Sequence, residues 1–270
     1  MKNYFFSALG LLPVTLLLTS GMPLKEKPGV QPTTELRTIK NESFKRGEVL
    51  KFRLHYGIID AGTAEVSITD ENKQLHDRNT FHVVGIGKSI GAFDPFFKVR
   101  DRYESFIDAD AIAPVVFIRR VNEGGFKINQ DQVYDHEKKK VISNGTYYDV
   151  PEYTQDMISA FYYARTLDMS NAKVGDIFSL KSFIDNEIWE LKIKFMGKET
   201  ISTDVGKVRC LKFRPIVQKG RVFKKSEDLN VWISDDKNHI PVRAQADVLI
   251  GSVKMDLTGY SNLANPLNLQ

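Results

Sequence analysis

The chain has 270 residues, of which 42% are hydrophobic and 27% are charged, with a formal net charge of +4. Basic and acidic residues are interspersed, which argues against the concentrated basic face of a nucleic-acid-binding protein, so we expect no nucleic acid partner. A single cysteine, Cys210, excludes an internal disulfide. Its strand-like surroundings favour a small buried hydrophobe over a reactive thiol.

The N-terminus has the pattern of a secretory signal. Lys2 is followed by an apolar run over residues 5–18 and by the small residues of 19–21. This run is shorter than the ~20 residues that cross a bilayer, and Met22 stands where a lipoprotein would carry its lipidated cysteine. We therefore predict a cleaved signal peptide over residues 1–22, with no stable transmembrane span after its removal.

Two further regions follow the predicted signal. Residues 23–45 contain three prolines and few apolar side chains, which predicts a flexible leader. From residue 46 to 270 we predict a single β-rich domain, because apolar and polar residues alternate, as in Leu50, Phe52 and Leu54 against Lys51 and Arg53. Such alternation is typical of antiparallel strands with one buried face and one solvated face.

The turn signals at 122–125, 204–206, 218–220 and 235–238 divide this domain at hairpin spacing. We count about ten to twelve strands. The segment from 153 to 168 has helical spacing of its apolar residues instead. The predicted fold class is mainly antiparallel β (α+β), a curved sheet or half-barrel around one amphipathic helix, with a β-sandwich as the alternative.

The sequence contains no nucleotide loop, no metal-ligand spacing and no catalytic motif. We therefore expect no cofactor, no metal and no catalytic residues, and we lean towards a non-enzymatic protein. The densest charged stretch includes Asp101 and Glu104, which would lie on opposite faces of one strand and could not act together on one substrate. A network of cross-strand ion pairs is the favoured interpretation.

Aromatic residues are the candidates for ligand binding. The phenylalanines around Pro95 would either plug the open end of the sheet or form a hydrophobic lip. The aromatic residues of the helix would either pack in the core or line a lipid-accepting cavity with tyrosine hydroxyls near its mouth. With one tryptophan of a later strand, the candidates are Phe93, Phe96, Phe97, Phe161, Tyr162, Tyr163 and Trp232.

Several stretches in a fixed chain order resemble one family. The main ones are residues 47–62, 97–105, 156–165 and 231–236. This series resembles the domain-of-unknown-function family 3108 (DUF3108), exported proteins of Gram-negative bacteria, over about residues 45 to 260. The resemblance implies a periplasmic location but no mechanism, since the family has no established activity.

A second resemblance concerns shape. The strand of Trp232, the turn of 235–238 and the following Pro241–Arg243 are similar to the late hairpin of LolA/LolB-type lipoprotein carriers. Those carriers fold as a curved antiparallel half-barrel that helices close over an apolar cavity. This chain is longer and has one convincing helix, so no residues are carried over.

The leading functional hypothesis is a non-enzymatic periplasmic protein that binds a hydrophobic or amphipathic envelope ligand, such as a lipid or an acyl chain. The alternative is an envelope scaffold that binds protein or glycan on its polar face. A third hypothesis is a hydrolase of glycan or lipid, which would require Asp101, Glu104 or His55 to converge in a cleft.

Overall fold

A computed structural model describes residues 36–216, 229–247 and 252–270. Within these ranges the chain forms fifteen strands and one α-helix. The first nine strands are β1 (Val49–Tyr56), β2 (Ile59–Ile68), β3 (Lys73–Leu75), β4 (Arg78–Ser89), β5 (Arg100–Asp108), β6 (Pro114–Glu123), β7 (Phe126–Asp135), β8 (Lys140–Ser143) and β9 (Thr146–Asp149). Helix α1 (Met157–Arg165) follows, and then β10 (Ile177–Ile184), β11 (Glu187–Thr203), β12 (Gly206–Pro215), β13 (Leu229–Ser234), β14 (Pro241–Asp247) and β15 (Ser252–Ser261).

All the strands belong to one antiparallel sheet, whose order is β10-β11-β12-β13-β14-β15-β1-β2-β4-β5-β6-β7-β8-β9. Strand β3 pairs with β4 alone. Neighbours in this order are consecutive along the chain, except that β2 pairs with β4 past the short β3 and that the last strand, β15, pairs with the first, β1. A single curved sheet is therefore present, and the alternative of a β-sandwich is wrong.

The prediction of ten to twelve strands is also wrong, since the sheet has fifteen. The extra strands are short. β3 has three residues, and β8 and β9 have four each. Such segments hold too few apolar side chains to show an alternating pattern, and hydrogen bonding to a longer neighbour is what keeps them extended.

The sheet curls until its two ends come near each other. The ring of Tyr148 in β9 lies 5.1 Å from that of Phe183 in β10, between centroids. Between these end strands runs the segment before the helix, where Gln155 N–H donates to the Lys181 carbonyl at 2.9 Å and the Gln155 carbonyl accepts from Phe183 N–H at 2.8 Å. The concave face of the sheet is thereby enclosed by strands from both ends.

Helix α1 lies on this concave face and is shorter than the predicted 153–168. Asp156 caps it, accepting from the backbone N–H groups of Ile158 and Ser159, while the Ser159 hydroxyl accepts from the Asp156 N–H. Tyr153 has a φ of 54°, which no helical residue adopts, and Thr166 caps the other end. Asp156 also accepts from the Ser105 hydroxyl at 2.6 Å, which fixes the start of the helix to β5.

One end of the molecule is solidly packed, and we call it the closed end. Tyr162 is fully buried in a cluster with Phe44 and with apolar residues of β2, β4 and the β5–β6 connection. Beside this cluster, the buried Arg165 binds Glu48 through two hydrogen bonds of 2.6 and 2.8 Å. Arg165 also donates to the carbonyls of Asn238 and Ser43, so the end of the helix is bound both to the segment before β1 and to the β13–β14 connection.

The predicted leader lies partly within the described residues. Phe44 is buried and Ile39 N–H donates to the Asp110 carbonyl at 2.8 Å, so residues 36–45 pack against the domain and the packed region begins before residue 46. The predicted signal peptide over 1–22 and the predicted turn at 218–220 lie outside the described residues. In the described parts of the chain, no helix has the length and apolar composition needed to cross a membrane.

Candidate functional site

A partly open cavity of about 470 Å³ lies between helix α1 and the concave face of the sheet. The helix contributes Met157, Ile158 and Phe161 to its wall. The sheet contributes inward-facing apolar side chains from both halves of its order, namely Phe52, Leu54, Val66, Ile193, Phe213, Val231, Ile233, Ala244 and Met255, and Val99 is added from just before β5. Nine consecutive residues of helix cannot fill the space inside so wide a sheet, so an apolar hollow remains.

Small residues of the strands keep this space free. Gly85 and Gly87 of β4 and Ala64 of β2 line the cavity, where larger side chains would occupy it. A Cβ atom built on Gly85 would still lie 3.9 Å from the nearest atoms, which belong to Ile158 and Tyr103. The volume falls in the range of about 300–1,000 Å³ that is usual for small-molecule pockets.

The polar residues of the wall include two carboxyl groups that lie together, Asp101 and Glu123. The others in the lining are Thr63, Glu65, Lys88, Ser89, Arg165 and His239. Strand parity places Asp101 on the concave face with Tyr103, and an isolated bridge between Val99 and Glu123 brings the second carboxyl beside it. The two side chains hydrogen-bond to each other, and Asp101 also accepts from the Asn122 N–H at 2.9 Å. The pair is held in place by the backbone of β5 and β6.

Burial sets the electrostatics of this pair. Desolvation, together with the charge of Asp101, raises the pKa of Glu123 to about 7. Desolvation also raises the pKa of Asp101, against the hydrogen bonds that it accepts. Two carboxylates in contact cannot both ionise easily, so the pair keeps a proton to higher pH than two isolated carboxyl groups would.

A buried arginine lies behind the carboxyl pair. Arg119 of β6 donates through Nη1 to Asp185 at 2.6 Å, and its guanidinium lies 5.8 Å from the centre of the Tyr103 ring. Burial raises the pKa of Tyr103 to about 12, so its hydroxyl is neutral. The polar wall therefore offers a carboxyl pair, a phenol and a nearby cation that is already paired.

The three aromatic candidates of the helix occupy different places. Phe161 lines the cavity, whereas Tyr162 is fully buried in the closed end. Tyr163 packs on the periphery of that cluster, with the Arg37 guanidinium 4.7 Å from the centre of its ring. Successive helical residues point about 100° apart, so one aromatic run serves both the cavity and the core.

The phenylalanines around Pro95 lie in the connection between β4 and β5. Phe93 ends a short 3₁₀ turn (Gly91–Phe93) and is half-buried, as is Phe97. Phe97 packs on the β6–β7 turn so closely that a Cβ on Gly124 would lie 2.5 Å from its ring. Phe96 between them is 88% exposed.

Trp232 lies on the other face of its strand. Val231 and Ile233 line the cavity, so the alternation of β13 turns Trp232 outwards into a cluster with Val208, Cys210 and Val242. Its indole N–H donates to Glu199, and the Lys212 ammonium lies 4.8 Å from its ring centre. In this place the side chain stabilises the outer layer.

The residues that a hydrolase would require do not converge. Of the three, Asp101 alone lines the cavity. Glu104 faces outwards, where it binds His82 and Arg102 with distances of 2.7 Å each. His55 is bound to Asp256 at 3.1 Å in another part of the outer face. The His82–Glu104 and His55–Asp256 contacts cross between neighbouring strands, whereas Arg102 and Glu104 lie on the same strand.

Sequence reasoning missed three parts of the site. The turn signal at 122–125 contains Glu123 without indicating a site, and no motif marks Arg119. Both share strand parity with Phe117 and Val121, which are buried, and that parity would have placed them on the concave face. The third, the Arg165–Glu48 pair, had one signal, an arginine on the apolar side of a helix.

The chain matches the model of the family "Protein of unknown function (DUF3108)" over residues 51–258. It is a member of that family. The match covers most of the chain, and it includes every residue that lines the cavity. This DUF3108 protein also has the arrangement expected from the resemblance to LolA/LolB-type carriers, which is a curved sheet with a helix over an apolar cavity.

Solved structures are similar in fold. The crystal structure of a β-barrel-like protein of the domain of unknown function DUF1849 from Brucella abortus shares 10% identity, covers 84% of this chain and 99% of that one, and has a TM-score of 0.52. A candidate lipoprotein from Parabacteroides distasonis (11% identity, 84% and 100% covered) has a TM-score of 0.35. A candidate exported protein with a YmcC-like fold from Bacteroides fragilis (11%, 84% and 100%) has one of 0.34.

The similarity to the DUF1849 protein shows that the two proteins share a fold. At 10% identity, it shows nothing about a shared function. No curated protein matches the sequence significantly. Among the described residues, no group of three or more histidine, cysteine, aspartate or glutamate side chains could hold a metal ion.

Proposed function

We propose that this protein is a non-enzymatic binder of a hydrophobic or amphipathic ligand, such as a lipid or an acyl chain, and that it works in the periplasm after cleavage of the signal peptide over 1–22. The apolar cavity of about 470 Å³ under helix α1 carries the proposal. An apolar hollow of this size inside a closely packed protein is costly unless a ligand occupies it, since its lining loses contacts.

The ligand chain would lie along Phe161, Met157 and the small residues of β2 and β4. Its polar end would meet the carboxyl pair of Asp101 and Glu123, which can accept and donate hydrogen bonds at once while it holds one proton. Of the aromatic candidates, Phe161 would contact the ligand directly. Phe93, Phe96 and Phe97 would lie at the entrance.

The test is the binding of a fluorescent fatty acid, dansyl-undecanoic acid, to the purified mature protein. Ala64→Phe should fill part of the cavity and weaken binding by about tenfold, which corresponds to ~1.4 kcal/mol. Ser67→Phe is the matched control, because it adds the same side chain to the same strand with the opposite parity. Equal binding by both variants would contradict the proposal.

Native mass spectrometry of protein purified from its own envelope gives the identity of the ligand. We expect a lipid-sized adduct that is retained by the wild type and reduced in Ala64→Phe. A protein that carries no adduct and binds no fatty acid would contradict a role as a binder.

A further inference from the structure

Three chain connections at one end of the sheet are joined to one another, and we call them the rim. They are the β1–β2 turn (57–58), the β4–β5 connection (90–99) and the β6–β7 turn (124–125). Ile90 N–H donates to the Ala61 carbonyl at 3.0 Å, which ties the β4–β5 connection to β2 just after the first turn. Gly124 N–H donates to the Lys98 carbonyl at 2.9 Å, which joins the last two.

The rim borders the cavity, opposite the closed end. The cavity lining includes Lys88 and Ser89 just before the second connection, Val99 at its end, and Glu123 just before the third. The closed end contains instead the starts of β1 and β14 and the β5–β6 turn, with the fully buried Leu50, Ile240 and Ile112.

Large apolar side chains project from the rim. Ile58 at the tip of the first turn is fully exposed, Phe96 is 88% exposed, and Phe126 directly after the third turn is 47% exposed. Removing such a side chain from water is worth about 1.5–3 kcal/mol, and single exposed apolar residues are common. Three of them on adjacent connections, at the border of one cavity, form a surface suited to contact an apolar partner.

The charge of the rim indicates which partner. Lys88, Lys98 and Lys127 are exposed beside these apolar residues. The neighbouring acids are engaged within the protein. Asp94 binds Arg100 at 2.7 Å, and Asp60 lies 3.6 Å from Arg53. Isoleucine and phenylalanine side chains that project from a surface can insert between lipid headgroups, and the exposed lysines around them can bind anionic headgroups. Each lysine near the surface of an anionic bilayer adds ~1 kcal/mol to the free energy of binding.

We propose that the rim docks on the surface of an anionic lipid bilayer, with Ile58, Phe96 and Phe126 inserted among the headgroups and the three lysines against the phosphates. This inference goes beyond the proposed function, because it concerns a surface of the protein and requires no occupant in the cavity. In that orientation the border of the cavity faces the bilayer and the closed end faces away.

The test is co-flotation of the mature protein with vesicles of phosphatidylethanolamine and phosphatidylglycerol. Wild-type protein should float with these vesicles at low salt and less at high salt. The variant Ile58→Ser/Phe126→Ser should bind at least about tenfold more weakly, since two apolar anchors are lost. Lys98→Gln/Lys127→Gln should weaken both the salt dependence and the preference for phosphatidylglycerol.

Val174→Ser is the matched control, because Val174 is a 70% exposed apolar residue in the connection before β10, away from the rim. It should float as the wild type does. Circular dichroism and dansyl-undecanoic acid binding should be unchanged in the rim variants, so a failure of docking is distinguished from a failure of the cavity to bind ligand.

Two results would overturn the proposal. One is flotation of the double variant equal to that of the wild type. The other is light scattering without vesicles that shows a wild-type oligomer which the double variant cannot form, because the rim would then be a contact between copies of this chain.

Discussion

The closed end and the rim of this DUF3108 protein both contain large apolar side chains, which are buried at the closed end and exposed at the rim. At the closed end, Tyr162 and Phe44 pack edge to face with ring centres 4.8 Å apart, and the Arg165–Glu48 pair is completely buried. At the rim, Ile58 and Phe96 stand in solvent beside an apolar hollow. The comparison indicates that the contacts that stabilise the fold are separated, along the axis of the sheet, from the apolar surface that the rim and the cavity expose.

The largest expected effect concerns the ion pair of the closed end. Arg165→Met should lower the free energy of unfolding by ~3–5 kcal/mol, because it leaves the Glu48 carboxylate buried without its partner. Urea denaturation of the purified protein measures this. Arg165→Lys keeps the charge but cannot form both hydrogen bonds to Glu48, so it should lower the free energy of unfolding by less. This variant can still be measured if Arg165→Met does not fold.

A double variant tests how much of this loss comes from the unpaired charge of Glu48. Arg165→Met/Glu48→Leu should recover part of the lost stability, since no unpaired charge remains. The carbonyls of Asn238 and Ser43 would still lack their donor, so full recovery is not expected. A loss below ~1 kcal/mol in Arg165→Met would show that the closed end does not depend on this pair.

The next effect compares two adjacent aromatic residues of helix α1. Tyr162→Ala should cost ~3–5 kcal/mol, because the side chain is fully buried in a packed cluster. Phe161→Ala should cost about half as much, because one side of its ring already borders the cavity. Urea denaturation gives both values.

Ligand binding should respond in the opposite order. Phe161→Ala should weaken the binding of dansyl-undecanoic acid, whereas Tyr162→Phe, which preserves the core, should not change it. If Tyr162→Phe weakened binding as much as Phe161→Ala, the division between core and cavity drawn along the helix would be wrong.

The sequence predicted the parts of this fold that depend on local periodicity. Alternation in Leu50–Tyr56 and in Leu229–Ile233 identified strands with one buried face, and the helical spacing around Phe161 identified the only helix of the described residues. The limits of that helix were set too wide, because Tyr153 lies in a left-handed conformation that no spacing pattern reveals.

The candidate site was less predictable because it depends on distant contacts. Arg165 and Glu48 are 117 positions apart, and their meeting follows from the pairing of β15 with β1 and the path of the helix beneath them. Periodicity also indicates that Phe161 and Trp232 lie on apolar faces of their helix and strand. It does not show whether such a face packs in the core, lines a cavity or lies in the outer layer of the protein. Only the curvature of the sheet decides this.

The smallest expected effect lies where the cavity meets the rim, at Glu123. Its pKa is raised to about 7 in the folded protein, against ~4.3 in an unfolded chain, so the folded state binds more protons between these values. This contribution to stability is therefore complete below about pH 4 and is lost as the pH rises through 7. The fully buried Asp156, with a pKa raised to about 6 by desolvation, acts in the same direction.

Glu123→Gln should keep the hydrogen bond to Asp101 without the cost of ionisation. Since Glu123 is only half-buried, we expect this variant to gain ~1 kcal/mol relative to wild type between pH 5.5 and pH 8, measured by urea denaturation at both values. Asp101→Asn should also flatten the pH dependence, because it removes the neighbouring charge that helps to keep Glu123 protonated. A wild-type protein that becomes more stable over this interval would mean that the carboxyl pair is open to water, and that the polar wall belongs to the rim and not to the cavity.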